Sequence, residues 1–171
     1  MNNNVLASMI AGAAVTLFPH AANFAQAGEP AATTQAVSAQ TIARGKYMVQ
    51  TGHCNNCHTS GYTRNEGNVT EKEWLLGSAP LGYRGPWGTT YASNLRLTVQ
   101  NFTQVQWIKY AKAIQTRPPM PWWPLRDTTD EDLGAMYQYI RQLGPAGEPA
   151  PAYLPPDKEP TPPYEWRQLV K

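Results

Sequence analysis

The only two cysteines of the chain lie three residues apart, and a histidine follows the second directly: Cys54-Asn55-Asn56-Cys57-His58. Few arrangements of so little sulfur narrow a fold as far. A zinc site of structural type needs four Cys or His ligands. The remaining histidines, His20 near the N-terminus and His53 beside Cys54, are too few and too close. A disulfide across two intervening residues is strained and closes almost no loop. A thioredoxin-like dithiol belongs near a βαβ unit, and the chain shows no such alternation of strands and helices. C-x-x-C-H is the attachment signature of haem c. Its spacing lets both thiols add across the two vinyl groups of one haem. The next imidazole, that of His58, then falls beneath the iron, and its second nitrogen needs a carbonyl acceptor to orient the ring. One motif implies one covalently bound haem c, with Cys54 and Cys57 as attachment residues and His58 as axial ligand. His53 precedes the pinned segment and is poorly placed to reach iron.

A sixth ligand is sought among five methionines. Met1 and Met9 are N-terminal, Met48 lies in the helix before the motif, and Met136 falls on an apolar helical stripe. Met120 is bracketed by prolines, in Pro118-Pro119-Met120-Pro121. Proline fixes φ and lowers the entropy of the unfolded loop, which suits a thioether held at a set distance from iron. Met120 is therefore the expected distal ligand. His/Met ligation fills both axial positions and raises the reduction potential, so the expected chemistry is one-electron transfer rather than catalysis on a small-molecule substrate. Without Met120 the alternative is a haem-based gas sensor or a small peroxide-active protein.

The 171 residues suffice for one domain with tails. Net charge is +2 with scattered Lys and Arg, which argues against a nucleic-acid partner. Val5–Phe18 is apolar and uncharged, too short to span a bilayer comfortably, and is followed by the small-x-small pattern Ala25-Gln26-Ala27. Residues 1–27 read as a signal peptide for export to the periplasm, although they contain no Lys or Arg. The exported chain would be soluble or peripheral to the membrane, free to join a membrane complex. Residues 28–37 form a flexible lead-in, 38–144 the haem domain and 145–171 a proline-rich tail. Eight of the 16 prolines lie between Pro145 and Pro163, so the tail is neither an ordinary helix nor a central strand. Tyr153-Leu154, Tyr164 and Trp166 offer it apolar anchors against the haem domain.

Three helices are expected. The first runs from Ala39 to Thr51, capped by Ser38, with Ile42, Gly45, Tyr47, Met48 and Val49 buried and Gly52 as its stop. Gly45 costs about 1 kcal/mol against Ala in a helix, which close approach of another helix would explain. The second starts after Thr103 and buries Trp107, Ile108, Ala111 and Ile114. Arg117–Pro124 cannot be helical. The last follows a capping box from Thr128 to Glu131, buries Leu133, Met136, Tyr137 and Ile140, and stops at Gly144-Pro145. Residues 59–101 are irregular and long for a connection, as if wrapping a ligand.

In this order the chain resembles a class I cytochrome c over residues 38–144. The resemblance implies an all-α fold whose first and last helices cross around the haem, with Gly45 at the crossing against Tyr139 or Met136. Trp87-Gly88-Thr89-Thr90-Tyr91-Ala92-Ser93-Asn94-Leu95 is similar to a segment near the haem edge in cytochrome subunits of membrane-bound alcohol and gluconate dehydrogenases. Those subunits usually carry three haem motifs where this chain carries one. The likeness implies a redox partner protein, a dehydrogenase or an oxidase. Trp87, Tyr91, Asn94 and Arg84 or Arg96 are the candidates for contacts to haem propionates, which need donors such as these. Trp122 and Trp123 would wall the methionine side or pack the tail.

Overall fold

The computed structural model describes residues 37–167. The expected signal peptide, most of the lead-in and the last four residues lie outside them. Within them the fold is mostly helical, with one small sheet.

Helix α1 spans Ala39–Thr51 and is capped by Ser38, whose hydroxyl accepts the Thr41 N–H. It ends at Gly52, and His53 turns the chain at φ 57° into α2, the single turn Cys54–His58. Far along the sequence, α6 (Asp130–Leu143) carries three acidic residues in its first turn, the favourable sign for a helix N-terminus. It stops at Gly144, at φ 72°. Its cap is Thr129, which accepts the Asp132 N–H. This corrects the expected cap by one residue: the Thr128 hydroxyl instead donates to Pro124 and closes the preceding turn.

The two long helices meet at Gly45. A Cβ there would stand 2.1 Å from the Ala135 carbonyl oxygen and 2.7 Å from the Tyr139 Cβ. Of the two expected neighbours, Tyr139 is the one present, joined by the Ala135 backbone. Val49, Leu133, Met136 and Ile140 fill the core around this crossing. Tyr47 does not join them. It is 54% exposed, because it faces away from α6, and Arg44 lies over its ring.

Helix α4 (Gln104–Ala113) begins with a full capping box between Thr103 and Gln106. Trp107 and Ala111 are buried, and the Trp107 indole donates to the Leu133 carbonyl, tying α4 to α6. A short α5 follows, Trp123–Asp127. It corrects the expectation that Pro124 excludes helix. In the first turn no intrahelical bond needs the missing N–H, and the fixed φ is helical already.

The expectation of an all-α fold is also corrected. Residues 59–101 hold two short strands and a single-turn helix. Strand β1 (Gly82–Gly85) pairs antiparallel with β2 (Gly88–Thr90) through a two-residue turn at Pro86-Trp87, and α3 (Leu95–Thr98) follows. The tail adds β3 (Tyr164–Trp166) parallel to β1, giving the order β2-β1-β3. Upstream, Leu154 makes paired hydrogen bonds with Thr89, at 2.7 and 3.0 Å. Gly88 makes room for this, since a Cβ there would be 2.2 Å from the Leu154 carbonyl. Among the described residues no helix is long and apolar enough to cross a membrane.

Candidate haem site

Cys54 and Cys57 lie one helical turn apart on α2, so both sulfurs share a face. Neither is in a disulfide. Burial raises the Cys54 thiol to about 11. His58 ends the same turn and is buried. Its Nδ1 lies 2.7 Å from the Ser93 carbonyl. A carbonyl only accepts, so Nδ1 carries the proton and Nε2 keeps a free lone pair. Burial holds the imidazole below its ordinary value, with the Ser93 carbonyl pulling the other way, so the neutral ring is favoured.

That single bond is set in a braid of three chain segments. The Gly77 N–H donates to the His58 carbonyl at 2.8 Å. One residue on, the Ser78 N–H donates to Ala92, and the Ala92 N–H returns to the Ser78 hydroxyl at 2.9 Å. The Ser78 hydroxyl itself donates to Leu81. On the other side, the Leu95 N–H donates to Leu75. Gly77, at φ 96°, passes so close to Ala92 that a Cβ would be 2.9 Å from its carbonyl oxygen. Below the motif, the Leu75 N–H donates to the Thr59 hydroxyl, which donates to the Asn55 side chain.

The donor set fits a covalently held haem. Two unpaired thiols and an oriented neutral imidazole occupy five consecutive residues. Two buried side-chain atoms have no hydrogen-bond partner among the described residues, the Asn55 Nδ2 within the motif and the Trp87 Nε1. Buried indole N–H groups find acceptors, and a propionate is one. Trp87 thus has a free donor for the contact expected of it, whereas three other candidates already spend donors elsewhere. Asn94 caps α3 and donates to Ala146 and Glu148. Arg96 is buried and donates to Lys72, Leu143 and Gly144, closing the end of α6. Arg84 donates to Lys158 in the tail and pairs with Glu159 at 2.9 Å. Backbone carbonyls claim these donors, and nothing in the sequence distinguishes such a carbonyl from any other. Tyr91 is half-buried beside Gly82.

Met120 lies between α4 and α5, half-buried. Its carbonyl accepts from Thr116, and the Thr90 hydroxyl on β2 donates to Pro118 at 2.9 Å. Thr90 pairs across the hairpin with Tyr83, whose phenol is raised by burial and by the adjacent Cys57. The hairpin therefore touches both the motif and the Met120 loop. No hydrogen bond among the described residues joins that loop directly to α2. Trp122 and Trp123 pack edge to face beside it, Trp123 remaining 53% exposed. His53 is exposed on the turn before the motif.

The cytochrome c family model matches residues 42–144. The chain belongs to the cytochrome c family. With its single motif it is a monohaem cytochrome that binds haem c covalently through Cys54 and Cys57, an electron-transfer haem protein. When bound, the haem supplies reversible one-electron chemistry at its iron. The cytochrome is also similar to the fructose dehydrogenase cytochrome subunit of Gluconobacter japonicus, at 28% identity over 138 residues. The match covers 74% of this chain and 26% of that relative, so the cytochrome spans about a quarter of its length. No solved structure matches the chain.

Proposed function

We propose that this cytochrome is a periplasmic electron carrier, or the electron-transfer subunit of a dehydrogenase, with His58 and Met120 as axial ligands. The observation that carries the ligation is the treatment of the Met120 loop. Prolines flank the methionine on both sides, and Thr90 and Thr116 bind the loop's own carbonyls. Restraint of this kind lowers the entropy lost when a thioether is held at one distance. At the motif the Ser93 carbonyl fixes the His58 tautomer, leaving Nε2 free to ligate. With both axial positions filled by the protein, no position is left for oxygen or peroxide, and the protein carries electrons without transforming a substrate.

The likeness to a fructose dehydrogenase subunit supports a dehydrogenase as electron donor. The apolar Val5–Phe18 segment and the Ala25-Gln26-Ala27 pattern support export, and haem is attached to such chains outside the cytoplasm.

The test is the visible spectrum of the haem-loaded protein. A far-red methionine–iron band in the oxidised form, abolished by Met120→Leu, with no carbon monoxide binding in the reduced wild type, is expected. Prompt carbon monoxide binding by the wild type would overturn the ligation and favour a gas- or peroxide-reactive protein. Mass analysis of the exported chain tests the leader, with an N-terminus at Gly28 expected and one at Met1 excluding cleavage.

A further inference from the structure

The tail does more than cover the hairpin. Its Tyr153 hydroxyl donates to the Trp87 carbonyl at 2.8 Å, at the tip of the turn between β1 and β2. The next residue, Leu154, is locked to Thr89 by two backbone hydrogen bonds. Further on, Arg84 holds the Lys158 carbonyl and the Glu159 carboxylate. The tail is thus pinned at one aromatic ring and again just beyond it. Over that ring, 4.0 Å from its centre, lies the guanidinium of Arg117. Arg117 belongs to the Met120 loop, and Pro118 beside it accepts from Thr90 on the same hairpin.

We propose that Tyr153 is a positioning residue for the Met120 loop, acting through Arg117, so that the proline-rich tail sets how firmly the distal methionine stays on the iron. The proposal rests on Met120 being that ligand. The two ties are complementary. Thr90 holds one backbone carbonyl, a single point about which the loop can pivot. The stacked guanidinium supplies a second point one residue earlier. A close cation–π contact contributes about 0.5–2 kcal/mol, enough to bias a loop between closed and open arrangements several-fold. Tyr153 suits this role because its own position is fixed at both ends, by its hydroxyl and by the paired backbone of Leu154.

The experiment titrates imidazole into the oxidised, haem-loaded full chain and follows loss of the far-red methionine band. Tyr153→Leu is expected to bind imidazole about fivefold more tightly than wild type, a change within the cation–π range. Arg117→Gln, at an exposed residue, should do the same. The double variant should gain no more than either alone, because both remove one contact. Tyr153→Phe keeps the ring beneath Arg117 and should restore most of the wild-type behaviour. Ile42→Val, a mild destabilisation on α1, should leave imidazole affinity unchanged.

Wild-type affinity in both Tyr153→Leu and Arg117→Gln would overturn the proposal. So would additive effects in the double variant, or an equal rise in Ile42→Val. If Tyr153→Leu fails to fold, Arg117→Gln decides alone. A wild-type band abolished by Met120→Leu, with unchanged affinities in the tail variants, defeats this proposal and spares the ligand assignment. A band that survives Met120→Leu defeats both.

Discussion

The Nδ1–H of His58 donates to the Ser93 carbonyl at 2.7 Å, from a residue 35 positions earlier in the chain. A backbone carbonyl has no side chain to conserve its place, so its position is held by its neighbours. Ser78 is the chief of these. Its hydroxyl takes the Ala92 N–H and gives its proton to Leu81.

Ser78→Ala therefore leaves the Ala92 N–H without that partner next to the carbonyl that orients His58. Ser78 is 1% exposed, so the loss should cost about 1–3 kcal/mol. Denaturant unfolding of the haem-loaded protein measures it. A fall in reduction potential or a change in the His58 ring signals is expected with it. A change below about 0.5 kcal/mol would show that the braid does not depend on this hydroxyl.

Gly45→Ala tests the helix crossing. Propensity alone favours Ala by about 1 kcal/mol. The added carbon would meet the Ala135 carbonyl oxygen at 2.1 Å, which is backbone and cannot step aside without moving α6. Overpacking of this kind costs about 1–3 kcal/mol or more, so the variant should be less stable despite its better helix residue. Greater thermal stability would show that the helices can separate without loss.

Arg96→Leu removes the cation that closes α6. Arg96 donates to the carbonyls of Lys72, Leu143 and Gly144, two of them at a helix C-terminus where positive charge is favoured. A leucine fills similar volume and satisfies none of them. The expected loss is about 2–4 kcal/mol, seen as a lower unfolding midpoint. Arg96→Lys should recover only part of it, because a single ammonium cannot span three carbonyls as the guanidinium does.

Glu71 should lend the fold an acid-sensitive step. Its carboxylate bridges Lys46 on α1, at 2.5 Å, and the Tyr139 hydroxyl on α6, at 2.8 Å. The Lys46 hydrogen bond chiefly holds it below its usual 4.5, burial opposing and Tyr139 adding to it. A depressed carboxylate stabilises the fold above its ordinary value and loses that contribution as pH falls through the folded value. The side chain is 40% exposed, so the contribution is under about 1 kcal/mol. Urea unfolding at neutral pH and near pH 3 should show a smaller pH-dependent loss in Glu71→Gln than in wild type. Equal losses would place the acid sensitivity elsewhere.

Helix existence was legible from local pattern, because capping and apolar periodicity are local interactions. Ser38, Thr103 and the run from Leu133 to Ile140 act where the sequence says they act. The boundary at Thr129 slipped by one because two adjacent threonines can each cap, and the turn of α5 claims the first. The sheet was not legible. Its strands are three or four residues long and glycine-rich, and the pairing of Gly82 with Tyr164 joins segments far apart in the chain.

By itself the sequence determined the chemistry of attachment: two thiols and an imidazole at fixed spacing, one motif and hence one haem. Covalent spacing is written in consecutive residues, so nothing distant can alter it. The tertiary structure alone decided which carbonyl orients His58, that Arg84, Asn94 and Arg96 serve backbone carbonyls, and that Tyr153 reaches Arg117. Those choices depend on which segments of chain lie side by side, and hydrogen bonds to backbone carbonyls leave no mark in the residue types that accept them.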